Sequence, residues 1–307
     1  MQTVKDKIRL DKKLILNLIL FCVFAGYLAF NGLLLARHEP WRDEANVWLM
    51  ARELSPAGLF AEIRYQGHPC LWYLIVMPFA KLGLPFRSIG LISYSIMAVT
   101  AGIYLFKAPI HPFVKAASLF SPAFSYFYAD IARNYCLIAL ILILLAVCYP
   151  KRNEKAVCYG LLLGLLVQAD TIAIAAAGMI SLMWLCENLW RSYMEKSPAA
   201  ALRILKGIWI PPASLFLWVA QFYQVSDSAA FQMRFPGGLE FLSETRNYSL
   251  WIMERLTGRG EGFCSIMLLL LLLLLLAVSI RIKNCWAAAV MVFAYLFEAV
   301  FSVMVYQ

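Results

Sequence analysis

Repeated runs of roughly 14–23 residues, almost free of charge, constrain this chain more than any other feature. That is close to the length of α-helix needed to cross a hydrocarbon core. They fall at residues 14–36, 88–106, 112–129, 135–149, 156–169, 171–186, 207–225, 264–280 and 286–306. Backbone groups in lipid must be satisfied within the segment, so such runs are expected to be helices. None shows the alternating pattern of about 10 residues that an outer-membrane barrel strand requires. Only 15% of residues are charged, against about a quarter in soluble domains. The expected fold is an all-α polytopic membrane protein, a single membrane domain over residues 1–307 with about nine transmembrane helices.

The basic start MQTVKDKIRLDKK precedes the first run. That run is longer than the apolar core of about 7–15 residues in a signal peptide, and no A-x-A cleavage site follows it. It reads as the first span, with the basic N-terminus in the cytoplasm. The net charge of +9 is then explained by cytoplasmic lysines and arginines rather than by a nucleic-acid partner. The eight cysteines form no CxxC and no metal-ligand spacing, and read as small buried hydrophobes.

Residues 70–83 pose the main topological question. This apolar stretch is short, and Lys81, Pro85 and Arg87 follow closely; segments of about 10–14 residues are more often interfacial or re-entrant than spanning. If it does not cross, Lys107 and Lys115, the KRNEK loop, the cluster Arg191, Lys196, Arg203 and Lys206, and the pair Arg281 and Lys283 all face the cytoplasm with the N-terminus. If it crosses, the short basic loops turn outward, against the positive-inside tendency. The non-crossing reading gives a first span at 14–36, an outer loop at 37–87 with interfacial helices, a helical core at 88–225, a second large outer loop at 226–263, and two last spans within 264–307. Asp43, Asp130 and the second loop then share the outer face. Glu298 lies inside the last apolar run, where an ionisable group is a functional candidate by default.

The candidate chemistry gathers in the first polar stretch, HEPWRDEANVWLMARELSPAGLFAEIRYQGHPCLWY, from His38 to Tyr73. Val47, Trp48, Leu49 and Leu54 are spaced for an amphipathic helix along the interface. Asp43 and Glu44 in its first turn could simply complement the helix dipole, worth about 0.3–1 kcal/mol. A carboxylate beside a membrane can equally act as a general base or as an oxygen ligand for a divalent cation such as Mg, Mn or Zn. Gly67 and Pro69 mark a sharp turn around His68, a structural hydrogen-bonder or else an acceptor-site or metal ligand. In YADIARNY, Asp130 and Arg133 are three apart and would share a helix face as an ion pair. The planar fork of Arg133 could instead clamp a phosphate. The charges of the loop at 226–262 are mixed; LTGRGEG within it lacks the preceding strand and spacing of a nucleotide loop.

Taken in order, WRDEANVWLMAREL, GHPCLWYLIVMPFAKLGLPFRSIG and SPAFSYFYADIARNYCLIAL make the chain resemble the membrane-embedded GT-C glycosyltransferases. The nearest branch is that of bacterial protein-mannosyltransferase-like and aminoarabinose-transferase-like enzymes, and the likeness covers roughly residues 14–189. It implies a polyprenyl-phosphate sugar donor, a lipid, glycan or protein acceptor, and a multi-pass protein of the bacterial cytoplasmic membrane with its site facing outward among membrane lipids. It carries Asp43 to the catalytic base or metal-site acid, Glu44 to its acidic neighbour, and Asp130 to a second outer-face acid with a metal role beside Asp43. It carries Arg133 to the donor phosphate, with Tyr135 and Arg246 as further phosphate-binding candidates. Family members usually run well beyond this length, so the likeness implies a truncated or minimal member. Two other classes compete: a transporter or flippase of a lipid-linked glycan, expected to line a midplane path with polar groups, and a glycan polymerase or ligase using arginines of a long outer loop.

Overall fold

A computed structural model describes residues 2–222 and, beyond them, residues 243, 246–247, 250, 260, 262–263, 265–267, 270, 273 and 277; of 2–13 it describes the backbone alone. The expected spans at 264–280 and 286–306, Glu298, and most of the loop at 226–262 lie outside the described residues. Within them every regular element is helical. The helices are α1 (Gln2–Arg37), α2 (Arg42–Glu53), α3 (Pro56–Glu62), α4 (Leu71–Lys81), α5 (Ser88–Lys107), α6 (Pro112–Leu119), α7 (Tyr135–Cys148), α8 (Ala156–Ala169), α9 (Ala173–Met194), α10 (Ala199–Ile208) and α11 (Ile210–Phe222).

Among the described residues, four helical stretches are long and apolar enough to cross a membrane: Leu14–Arg37, Ser88–Lys107, Ala173–Met194 and the α10–α11 stretch Ala199–Phe222. This is fewer than the seven expected over the same residues, and the reasons are local. α7 and α8 are apolar but have 14 residues each, about 21 Å at 1.5 Å per residue, well short of a core about 30 Å thick. The expected span at 112–129 is broken. α6 stops at Leu119, and a single π-helical turn, Ala123–Phe127, follows. Pro122 sits at the break, with no N–H to continue the ladder. The last stretch begins eight residues earlier than its apolar run suggested, and it turns at Trp209 just before Pro211 and Pro212.

The chain divides into two compact units. The first comprises Met1–Ile63, His68–Lys155 and Gln168–Asp170. Its apolar core is built where α1, α5, α6 and α7 meet, from Leu20, Tyr27, Tyr104, Leu105, Leu119 and Ile143 among others. The broken segment runs back along this core. Phe120 packs edge-on against Tyr27, Tyr27 donates its hydroxyl to the Phe124 carbonyl at 2.9 Å, and Phe124 stacks on Tyr104. Lys115 is buried and donates to the Leu105 and Ala108 carbonyls, satisfying oxygens that the end of α5 leaves without helical partners. A residue expected in a solvated loop is thus a helix cap.

At the other end of α1, α2 packs on α4. α2 is amphipathic and buries Val47 and Trp48 as expected, with Ala51, but Leu49 is exposed and Leu54 follows the helix only partly buried; α4 buries Trp72, Tyr73, Val76, Met77 and Ala80. With 11 residues, α4 reaches about 16 Å, too short to cross.

The second unit comprises Arg64–Gly67, Ala156–Val167 and the chain from Thr171. Its distinguishing contact joins α8 to α10 through glycines. A β-carbon on Gly160 would overlap the Gly207 carbonyl, and one on Gly207 would overlap the Ala156 carbonyl. One turn further along α8, Gly164 faces Ile210 and Ser214, and Ser214 donates to the Gly164 carbonyl at 2.7 Å. Gly160-x-x-x-Gly164 is the spacing that lets membrane helices approach to backbone contact. Pro211 sharpens the arrangement, since it supplies no N–H to the Gly207 carbonyl four residues before it.

Candidate functional site

The polar end of the first unit starts where α1 runs out. His38 follows Arg37 directly, and three residues later Trp41 opens α2. Glu44, the third residue of α2, turns back and accepts the Trp41 N–H at 3.0 Å, as a helix's third residue often does at an N-terminus. The rest of its capacity goes elsewhere. Glu44 Oε1 accepts the Ala132 N–H at 2.7 Å, and His38 Nε2 lies 2.9 Å from Oε2. Glu44 has no exposed surface. A buried carboxylate saturated from three segments fastens α2, the end of α1 and residues 130–134 together.

His38 is the second member of this cluster. Its Nδ1 lies 3.2 Å from Asp130 Oδ2 while Nε2 faces Glu44. Carboxylates only accept, so both ring nitrogens must donate and the ring is an imidazolium. Burial alone pulls His38 down, but the hydrogen bond and charge of Glu44, and then those of Asp130, outweigh it and hold its pKa above the ordinary value. Burial pushes Asp130 up, the charge and hydrogen bond of His38 oppose this, and Glu44 adds to the rise. Asp130 Oδ1 is buried without a hydrogen-bond partner among the described residues.

Arg133 centres a second cluster. Its Nη1 pairs with Asp43 Oδ2 at 2.9 Å, its Nη2 bonds His68 Nε2, and its guanidinium lies 5.3 Å from the ring centre of Tyr135. An arginine can only donate, so His68 Nε2 carries no proton and the ring hydrogen is on Nδ1. Nδ1 faces the wholly buried Asp170, 3.6 Å from Oδ2. Asn134 holds that carboxylate from the other side, donating to Asp170 Oδ2 at 2.6 Å and to the Ala169 carbonyl at 2.8 Å. Tyr73 on α4 is buried beside this cluster. Burial raises its phenol pKa to about 12, Arg133 pulls against this and Asp43 adds to it.

The two adjacent acids therefore have opposite surroundings. Glu44 is buried and saturated, whereas the Asp43 side chain is 43% exposed and held by Arg133 at 2.9 Å and, more loosely, by the exposed Arg42 at 4.0 Å. This follows from helix geometry: neighbours on a helix point about 100° apart, so only one can face the bundle.

The expected ion pair between Asp130 and Arg133 is absent. Residues 128–134 make turns between the π-helical turn and α7 rather than a helix, so the two side chains part, Asp130 to His38 and Arg133 to Asp43. Asp43 and Asp130 likewise have different partners, and no group of three His, Cys, Asp or Glu side chains among the described residues is arranged to hold a metal ion. Arg246 belongs to the second unit, where it is exposed.

Sequence reasoning passed over His38, Asn134 and Asp170 as site residues. Asp170 carried a signal: it is the lone charge within the apolar stretch 156–186, and such a residue usually faces a protein interior with a partner. His38 carried a weaker one, as the first residue after a spanning helix.

Searches with the whole chain found no matching family model, no matching curated protein and no matching solved structure.

Proposed function

We propose that this protein is a membrane glycosyltransferase that moves a sugar from a polyprenyl-phosphate donor to a lipid, glycan or protein acceptor at the outer face of a bacterial cytoplasmic membrane. The observation that carries the reading is the accessible Asp43 carboxylate paired with Arg133, on a rigid polar end built beside helices of membrane-spanning length. The ordered motifs described above support the same reading.

Arg133 offers its planar fork to the donor phosphate, and the arriving anion takes the place of Asp43 on Nη1. Asp43, released, accepts the proton of the acceptor hydroxyl or amine as that group attacks the anomeric carbon. The bond from the anomeric carbon to the phosphate oxygen breaks with inversion, and the electron pair leaves on polyprenyl phosphate beside Arg133. Phosphate is already a good leaving group, so one base suffices. Tyr135 supports the guanidinium from its ring face. Glu44 is too fully engaged to act as a base and serves as a positioning residue.

The test is transfer of labelled sugar from synthetic polyprenyl-phosphate sugars by the purified protein in proteoliposomes, scored against translocation of the same sugar lipid. Asp43→Asn is expected to reduce transfer by about 10²–10⁴, the usual contribution of a positioned base. Full transfer by a normally inserted Asp43→Asn protein would remove Asp43 from this role. Translocation without transfer by the native chain would replace the reading with a flippase.

A further inference from the structure

A cavity of about 290 Å³ lies between the last turns of α1 and the first turns of α5, distinct from the face that carries Asp43 and Arg133. Its walls are apolar, with Gly32 and Leu35 from α1 and Ile89, Gly90 and Leu91 from α5. Gly90 lets the two helices approach closely, since a β-carbon there would come within 2.6 Å of Leu35 Cδ1. Glu44 and His38 line the cavity, and so does Arg87. Glu44 has no exposed surface whereas Arg87 is exposed, so the cavity leads from an accessible cation down to the buried cluster.

Arg87 has no hydrogen-bond or ion-pair partner among the described residues. The acidic group nearest in the lining, Glu44, is already engaged by His38, Trp41 and Ala132. The cavity therefore presents one uncompensated positive charge above an apolar trough. Both flanking helices are of membrane-spanning length, and Leu91, which lines the trough, is 57% exposed, as a lipid-facing residue would be. A trough of this kind suits an amphiphile with one alkyl chain to lay along it and a single negative charge at the chain's polar end. One guanidinium matches the monoanion of a phosphodiester.

We propose that this α1–α5 groove is a lipid site that takes an acyl chain of an anionic glycerophospholipid, with the lipid's phosphodiester on Arg87. The site is separate from the proposed transfer reaction and does not depend on it. Its occupant would wedge the end of α1 against α5 directly above His38 and Glu44, so the surrounding membrane's composition would reach the buried cluster through this contact.

The test uses the full chain in nanodiscs of phosphatidylcholine doped with a photoactivatable phosphatidylglycerol or, in parallel, a photoactivatable phosphatidylcholine, followed by peptide mapping of the adducts. Labelling of residues 32–40 and 87–91 is expected to be about fivefold higher from phosphatidylglycerol, the ratio equivalent to one arginine near an anionic headgroup. Arg87→Gln should abolish the preference and Arg87→Lys should retain most of it; both substitutions lie on the surface and leave packing untouched. Equal labelling by the two lipids, or an unchanged preference in Arg87→Gln, would overturn the proposal. Displacement of the label by polyprenyl phosphate at lower concentration than by unlabelled phosphatidylglycerol would also overturn it, and would make the groove a subsite for the donor.

Discussion

The polar end of the first unit and the glycine crossing of the second solve the same problem, holding helices together where apolar burial gives little advantage, by opposite means. At the polar end the helices are joined by charge and hydrogen bonds, through a carboxylate that gathers donors from residues 38, 41 and 132. At the crossing they are joined by the removal of side chains, so that Gly160 and Gly207 bring backbone against backbone. The first contact is specified by chemistry and tolerates little change of charge. The second is specified by volume, since a β-carbon at either glycine would meet backbone.

Substitutions that change one property at a time should separate the two. The largest effect is expected from Glu44→Ala, which leaves His38 charged and the Trp41 and Ala132 N–H groups without acceptors. Breaking a buried pair from one side is worth about 3–5 kcal/mol, read from denaturant or thermal unfolding in detergent. Glu44→Gln keeps the shape and should lose less. At the crossing, Gly207→Ala and Gly207→Ser should each destabilise by about 1–3 kcal/mol and by similar amounts, because only the added volume matters. A much milder serine variant would show that polarity counts there too.

Acidity should also divide the two regions. His38 has its folded pKa raised above the ordinary 6.5, so the stability it contributes is complete below that value and is lost as pH climbs through the raised one. Asp130 is also raised, from 3.8, and acts in the same direction from a lower starting pH. The unfolding midpoint is therefore expected to fall as pH rises from about 6.5. His38→Asn should flatten that slope and Gly207→Ala should leave it unchanged. A midpoint that rose over the same range would contradict the imidazolium assignment. The smallest effect on stability is expected for Asp43→Asn, within about 1 kcal/mol, because its ion pair is partly exposed. Together with a large loss of transfer, that would mark Asp43 as a residue kept for reactivity.

How much of this was legible beforehand depended on whether the signal was periodic or spatial. The amphipathic face of α2 could be read from Val47 and Trp48, and the turn at Gly67 has the positive φ of 75° that its Gly-x-Pro setting suggested. Asp43, Glu44, His68, Asp130 and Arg133 could be singled out by the scarcity of such side chains in an apolar chain. Their partners could not. The pairing of Asp130 with Arg133 assumed a helix through residues 130–134, and the turn there sends the two side chains to different neighbours. Among the described residues four of the expected spans have the length and apolarity to cross, and apolar composition does not reveal where Pro122 interrupts a helix or where α7 and α8 stop. The Gly160-Gly164 spacing was visible, but the Gly207 backbone that it meets is 47 positions from Gly160 along the chain.

The bond from Ala132 to Glu44 spans 88 residues of sequence, and this sets an order of assembly. A chain emerging at about 5–20 residues per second exposes Glu44 on the order of five to twenty seconds before Ala132 exists. Through that interval α2 has its helix-start bond and His38 but lacks the two contacts, with Ala132 and Asp130, that complete the cluster. α2 and α4 can pair early, since both are made by residue 81, but they can lock to the bundle only after α6 and the π-helical turn have brought Ala132 back to the end of α1. The contacts that complete the first loop therefore become available only after Ala132 has been made.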